Sequence, residues 1–263
     1  MLQDRNMKLH FCSQKHYSND KEYIVKPGKL DLQAMAEIIE VNNHTLPLDQ
    51  FHTDLRSWDI RYRRAYPWRT TDNPFHIMMA ELMLRRTQAR QVVKIYQDFI
   101  ARYPDAQALA SAPAEEVARS LYSLGLAWRV PAFQQIARTL VERYDGRVPP
   151  DYDALVALPG IGDYVASAVG CFAFGQAVMI VDTNTVRVAG RLFGIPTHAE
   201  SRRRKPVRAL LEALLDKEDP KSYNYALLDL AALICTPANP ACPACPLLSY
   251  CVTGQERTVC QTG

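Results

Sequence analysis

The sequence predicts an all-α protein, on three observations. From Pro47 onward, apolar residues recur at helical spacing in one segment after another. Proline or glycine punctuates most of the boundaries between those segments. Strand signals are scarce, since the one β-branched apolar run, residues 178–181, is too short to found a sheet.

Taken in order, residues 1–50 are polar and irregular apart from a helix expected around 30–41. Residues 75–86 form a short apolar helix introduced by Asn73-Pro74. Residues 89–103 place Val92, Val93, Tyr96, Phe99 and Ile100 on one stripe. Residues 113–124 follow, with Val117, Leu121 and Leu124 on one face and Gly125 as the stop. The next helix spans 131–144 and breaks at Asp145-Gly146. Residues 151–158 run into Pro159-Gly160-Ile161-Gly162, and 163–174 form a helix closed by Gly175. Residues 182–193, closed by Gly194, then 206–215 and 223–234 complete the set.

The 263 residues suffice for one large domain or two ordinary ones. Apolar residues at 48% and charged residues at 22% give the balance of a soluble globular chain. No run approaches the ~20 apolar residues that cross a bilayer. The N-terminus lacks the apolar core of a secretory signal, so a cytoplasmic location is expected, or a nuclear one in a eukaryote. The net charge of +3 is compatible with nucleic acid, and its clustering says more than its size. Seven basic residues face two acidic ones between Asp182 and Arg208, and Arg202, Arg203, Arg204 and Lys205 are consecutive.

Four of the seven cysteines, Cys235, Cys242, Cys245 and Cys251, have the spacing C-x6-C-x2-C-x5-C. Such a cluster in a chain without a secretory signal points to metal rather than disulfides. Pro237, Pro240, Pro243 and Pro246 stiffen the loop between them. Four thiolates hold either zinc or a [4Fe–4S] cluster, and spacing alone does not choose.

The turn Leu158-Pro159-Gly160-Ile161-Gly162 joins two helices. Pro159 stops the first, and the glycines permit a tight turn with positive φ. The amides that open the next helix are free to bind a phosphate oxygen. About 18 residues further on comes Val181-Asp182-Thr183-Asn184. Asp182 stands where a helix begins, the place of an ordinary N-cap. Glu81 is a lone charge in an apolar run, where desolvation raises a carboxyl pKa.

The hairpin with its trailing aspartate resembles the helix-hairpin-helix DNA glycosylase superfamily. The segments Tyr66-Pro67-Trp68-Arg69, Leu84-Arg85-Arg86-Thr87, Gly162-Asp163-Tyr164 and Cys171-Phe172-Ala173-Phe174-Gly175 are similar to its thymine-DNA mismatch glycosylase branch, and the stretch from Tyr66 through Glu81 to Gln88 also resembles the opening of the adenine glycosylases. The resemblance implies a two-lobed endonuclease III-like fold. A six-helix barrel lobe with the hairpin spans residues 76–182. A cluster-bearing lobe joins 51–75 to 183–251, with 1–50 an unassigned extension and 252–263 a tail.

The resemblance also implies roles. Asp182 faces the scissile sugar, whose developing positive charge a fixed anion stabilises. Glu81 lines the base pocket. Tyr164 stands where endonuclease III relatives carry a Schiff-base lysine, and a phenol forms no Schiff base. Gly160 and Gly162 hold DNA phosphate. Arg85 or Arg86 fills the gap left by the flipped base, with Leu126, Ala127 and Trp128 as alternatives. Arg187, in the basic stretch, is a further DNA contact. The cysteine loop resembles the [4Fe–4S] loop of the same superfamily. The expected activity is hydrolytic removal of thymine or uracil opposite guanine by a monomer bound to mismatched duplex DNA, without strand cleavage. The alternatives are an adenine glycosylase, or a DNA-binding module without catalysis.

Overall fold

The computed structural model describes residues 26–31, 36–41, 44–85 and 87–262. It is mostly helical, with one three-stranded antiparallel sheet. None of the described helices is long and apolar enough to cross a membrane.

The sheet is the main departure from the sequence reading. The helix expected at 30–41 is instead β1 (Lys26–Asp31) and β2 (Ala36–Val41), with β3 (His44–Pro47) paired on the far side of β2. The reason is a period of two. Ile39 and Val41 are both buried, and Ile39 pairs with buried Leu46. β-branched side chains that alternate faces suit a sheet packed on a core. That core includes Leu48, Phe51 and Leu55 of α1 (Leu48–Tyr62). Ile39, Val41 and Leu46 therefore pack into the second core.

The first lobe contains α2 (Pro74–Leu84), α3 (Ala89–Arg102), α4 (Ala106–Ser111), α5 (Ala114–Leu121), α6 (Val130–Tyr144), α7 (Tyr152–Val156) and α8 (Asp163–Phe174). That is one helix more than the six expected. The addition is α4, capped by Asp105 and too short to display a period. Its core gathers Met79, Met83, Phe99, Phe133, Leu140 and Val169. Helix α2 is buried nearly all round, which is why it reads as an apolar run rather than a stripe. Asn73 starts it, its side chain accepting from the amides of Phe75 and His76 at 2.9 and 3.3 Å.

The second lobe packs the sheet and α1 against α9 (Thr183–Leu192), α10 (Lys205–Leu214) and α11 (Pro220–Leu233). The expected tail is also helical, as α12 (Val252–Thr262). A small third cluster, including Ile77, Phe172, Ile180 and Tyr225, lies between the two cores. Beside it, buried Asp229 of α11 accepts from Arg64 and Arg69, which lie in the segment between α1 and α2.

Candidate active site

Three segments bring the predicted catalytic side chains together where the two cores meet. Glu81 lies in the third turn of α2 and is 3% exposed. Tyr164 is the second residue of α8 and hydrogen-bonds Glu81. Asp182 caps α9 and lies close enough to act electrostatically on both.

Each is held by local chemistry. Asp182 Oδ1 accepts from the amides of Asn184 and Thr185 at 2.8 Å each, and Oδ2 accepts from Asn184 Nδ2 at 2.7 Å. Thr185 returns a bond from the Asp182 amide to its Oγ1, completing a capping box. Capping thus fixes the orientation of the carboxylate. The turn before α8 behaves differently at its two glycines. Gly160 has φ +75°, which only glycine adopts readily, whereas Gly162 is extended and caps α8. Only Gly160 answers the expected need for positive φ.

Electrostatics separates the groups. Burial pushes the Glu81 carboxyl up to about 7, against the hydrogen bond from Tyr164 and the charge of Arg69, while Asp182 pushes it the same way as burial. Glu81 Oε2 is buried without a hydrogen-bond partner. Burial, with the charges of Glu81 and Asp182, holds the Tyr164 phenol well above its ordinary value. Tyr164 is therefore a neutral donor near pH 7. One wall is supplied by Tyr225 of α11. Its ring stacks on Phe172 at 3.9 Å between centroids, and Arg69 lies 4.3 Å from the Tyr225 centroid. The Tyr225 hydroxyl is also buried and unpartnered. Tyr225 has no motif around it in the sequence. Only the fold shows that it faces Glu81, whose charge raises its pKa further after burial.

The candidate DNA-facing residues divide. Arg85 Nη1 donates to the Gly160 carbonyl at 3.2 Å, tying the end of α2 to the hairpin. Arg86 lies outside the described residues. Trp128 is 71% exposed beside the Arg129 guanidinium, 4.7 Å from the ring centroid. Trp128, Arg85, Leu82 and Gly160 line one open groove. Leu126 is buried, so this structure does not present it to a duplex, and the side chain of Ala127 lies outside the described residues. Arg187 departs from expectation. It points inward, donating to the carbonyls of Ala231 and Cys235 at 3.0 and 2.9 Å and to Asn184 Oδ1 at 3.1 Å. It bonds the side chain that positions Asp182 and reaches the first cysteine of the loop.

Cys235, Cys242, Cys245 and Cys251 line one small, partly open space. Burial, with the neighbouring thiols, pushes Cys245 up to about 12 and Cys251 up to about 11. Thiolates there need a cation. A Cβ on Gly254 would come within 3.2 Å of Cys251 Sγ, so that residue keeps room beside the sulfur. Among the described residues, no group of three or more His, Cys, Asp or Glu side chains is arranged to hold a metal ion.

Residues 79–216 match the family described as HhH-GPD superfamily base excision DNA repair protein. The chain is 37% identical over 186 residues to the thymine/uracil-DNA glycosylase of Methanothermobacter thermautotrophicus, covering 70% of this chain and 84% of that one. It is 35% identical over 213 residues to the adenine DNA glycosylase of Mycobacterium tuberculosis, covering 77% and 67%. The fold is similar to the solved structure of a thermostable thymine-DNA glycosylase, with a TM-score of 0.74 and 33% identity over 80% of this chain and 97% of the other.

Proposed function

The chain belongs to the HhH-GPD superfamily of base excision DNA repair proteins, and we propose that it is a monofunctional glycosylase that hydrolyses thymine or uracil from opposite guanine in duplex DNA, acting as a monomer. The observation that carries this reading is the trio of Glu81, Tyr164 and Asp182, with a phenol and no amine between the two carboxyls.

The chemistry follows from the residues. The target base must leave the stack, which costs a few kcal/mol and least at a mispair. Breaking the C1′–N bond places positive charge on the deoxyribose and negative charge on the base. Asp182, fixed by three hydrogen bonds, stabilises the first charge and orients the attacking water. Glu81, with a pKa of about 7, retains a proton on a buried carboxyl that hydrogen-bonds the departing base. Tyr164 donates to Glu81 and offers no nitrogen to the sugar, so the product is an abasic site in an intact strand.

The four cysteines fit a [4Fe–4S] cluster. In such a cluster each thiolate binds its own iron, which separates the sulfurs more than a single zinc with bonds of ~2.3 Å does. The four thiols that line one space are the donor set such a cluster takes. The group would tie the loop 235–251 to α9 and α12 and supply rigidity rather than reaction chemistry. Iron analysis should give about four irons per chain, whereas one zinc per chain would contradict the assignment.

Adenine excision is the second reading, favoured by the similarity to the mycobacterial adenine glycosylase. One assay separates the two. Duplexes carrying a single G·T, G·U, G·A, 8-oxoguanine·A or normal pair are incubated with the protein and resolved with and without alkali. Alkali-dependent breaks at G·T and G·U are expected. Release of adenine alone would contradict the thymine reading, and breaks without alkali would contradict the monofunctional one.

A further inference from the structure

Five of the seven residues from Arg202 to Arg208 are basic, and the catalytic site uses none of them. The segment is built rather than loose. In the turn Ala199–Arg203, the His198 amide donates to Ser201 Oγ at 3.0 Å, and the Glu200 amide donates to His198 Nδ1 at 3.3 Å. Ser201 is fully buried. The chain then enters α10, where Val207, Leu210 and Leu211 anchor it in the second core. The cations are therefore displayed on a fixed scaffold.

Two ion pairs describe their surroundings. Glu200 alone serves both Arg203, at 2.5 Å, and Arg202, at 3.7 Å. One carboxylate shared by two guanidiniums leaves positive charge over. Arg208 reaches Asp163 at 3.6 Å. Asp163 is the first residue of α8, directly after Gly160-Ile161-Gly162. The basic segment thus lies alongside the hairpin, although more than forty residues separate them in sequence.

We propose that residues 202–208 form a second phosphate-binding surface for duplex DNA, continuous with the hairpin and gripping the backbone outside the cleft. Duplex DNA carries one negative charge per ~1.7 Å of axis, so a rigid row of guanidiniums and an ammonium meets a matching row of phosphates. Such contacts add affinity and register without reading sequence. The proposal rests on DNA being the substrate but not on which base is removed.

The test uses the full-length protein and an undamaged duplex, with Kobs measured against salt for wild type and for Arg202→Ala/Arg203→Ala. Both side chains are on the surface, and thermal melting confirms that the variant folds. Loss of two phosphate contacts should make the log–log salt slope shallower by about 2 and weaken binding at low salt about tenfold. The single-turnover excision rate at saturating enzyme should not change, and Arg202→Lys/Arg203→Lys should restore the slope. Lys205→Ala, a single exposed change, should lower the slope by about 1. Unchanged slopes and affinities in the alanine variants, with wild-type binding intact, would overturn the second surface alone. A wild-type protein that fails to bind duplex DNA would overturn the DNA reading with it.

Discussion

Two buried carboxylates, one on each side of the lobe junction, are treated in opposite ways. Asp229 accepts four hydrogen bonds from Arg64 and Arg69 at 2.7–2.8 Å. Burial alone would raise its pKa, but the bonds and charge of Arg69, helped by Arg64, bring it below the ordinary value. Glu81 is just as deeply buried, yet one of its oxygens has no partner and its pKa rises to about 7. The same fold satisfies one carboxylate completely and leaves the other wanting. The first is a structural tie between the segment before α2 and α11. On the function proposed above, the second is the reactive group, and the partner it lacks is the substrate.

Removing either carboxylate should therefore move stability in opposite directions. Asp229→Ala leaves the 8%-exposed Arg69 side chain without its counter-ion and should destabilise the fold by about 3–5 kcal/mol, read from urea unfolding. A loss below ~1 kcal/mol would show that the tie contributes little.

Asp182→Asn tests the fixed anion. It keeps the capping oxygen but loses the charge, so the single-turnover rate should fall about 10²–10³-fold while duplex binding persists. Retained activity would remove Asp182 from the chemistry.

Glu81→Gln should stabilise the protein, and the sign follows from linkage. The folded-state pKa of about 7 lies above the ordinary 4.5 of a glutamate, so the folded protein binds this proton more tightly than the unfolded chain. Stability on this account is full below about 4.5, falls as pH rises, and levels off above about 7. At pH 8 the variant should gain up to about 3 kcal/mol over wild type, and near pH 4 the gain should vanish. Asp229 has the opposite sign. Its contribution is present above its unfolded pKa and is lost only as pH falls through the depressed folded value.

Much of this contrast is legible in the sequence, and the illegible part has a physical cause. Glu81 is conspicuous as one charge in an apolar run, and Asp182 as a polar cap at a helix start. Between α2 and α11 every helix except the short α4 is legible, and the bounds shift by only a few residues. Tyr225 and Asp229 carry no such signal, because their meaning depends on partners that lie more than 100 residues away in sequence. Arg187 shows the converse. In the sequence it is one more cation in a basic stretch, and only the fold turns it inward to Asn184 and Cys235. The strands of residues 26–47 escaped because a short mixed run such as Ala36–Val41 satisfies either period until its buried partners are known.

On the function proposed above, Glu81 is left unsatisfied so that its proton serves the departing base. The most direct measurement is the single-turnover rate of thymine release from a G·T duplex across pH, for wild type and Glu81→Gln. The wild-type rate should fall as pH rises through about 7, where Glu81 ionises, and the variant should be slower and lack that inflection. An inflection near 7 that survives the substitution, or a variant as fast as wild type, would contradict it.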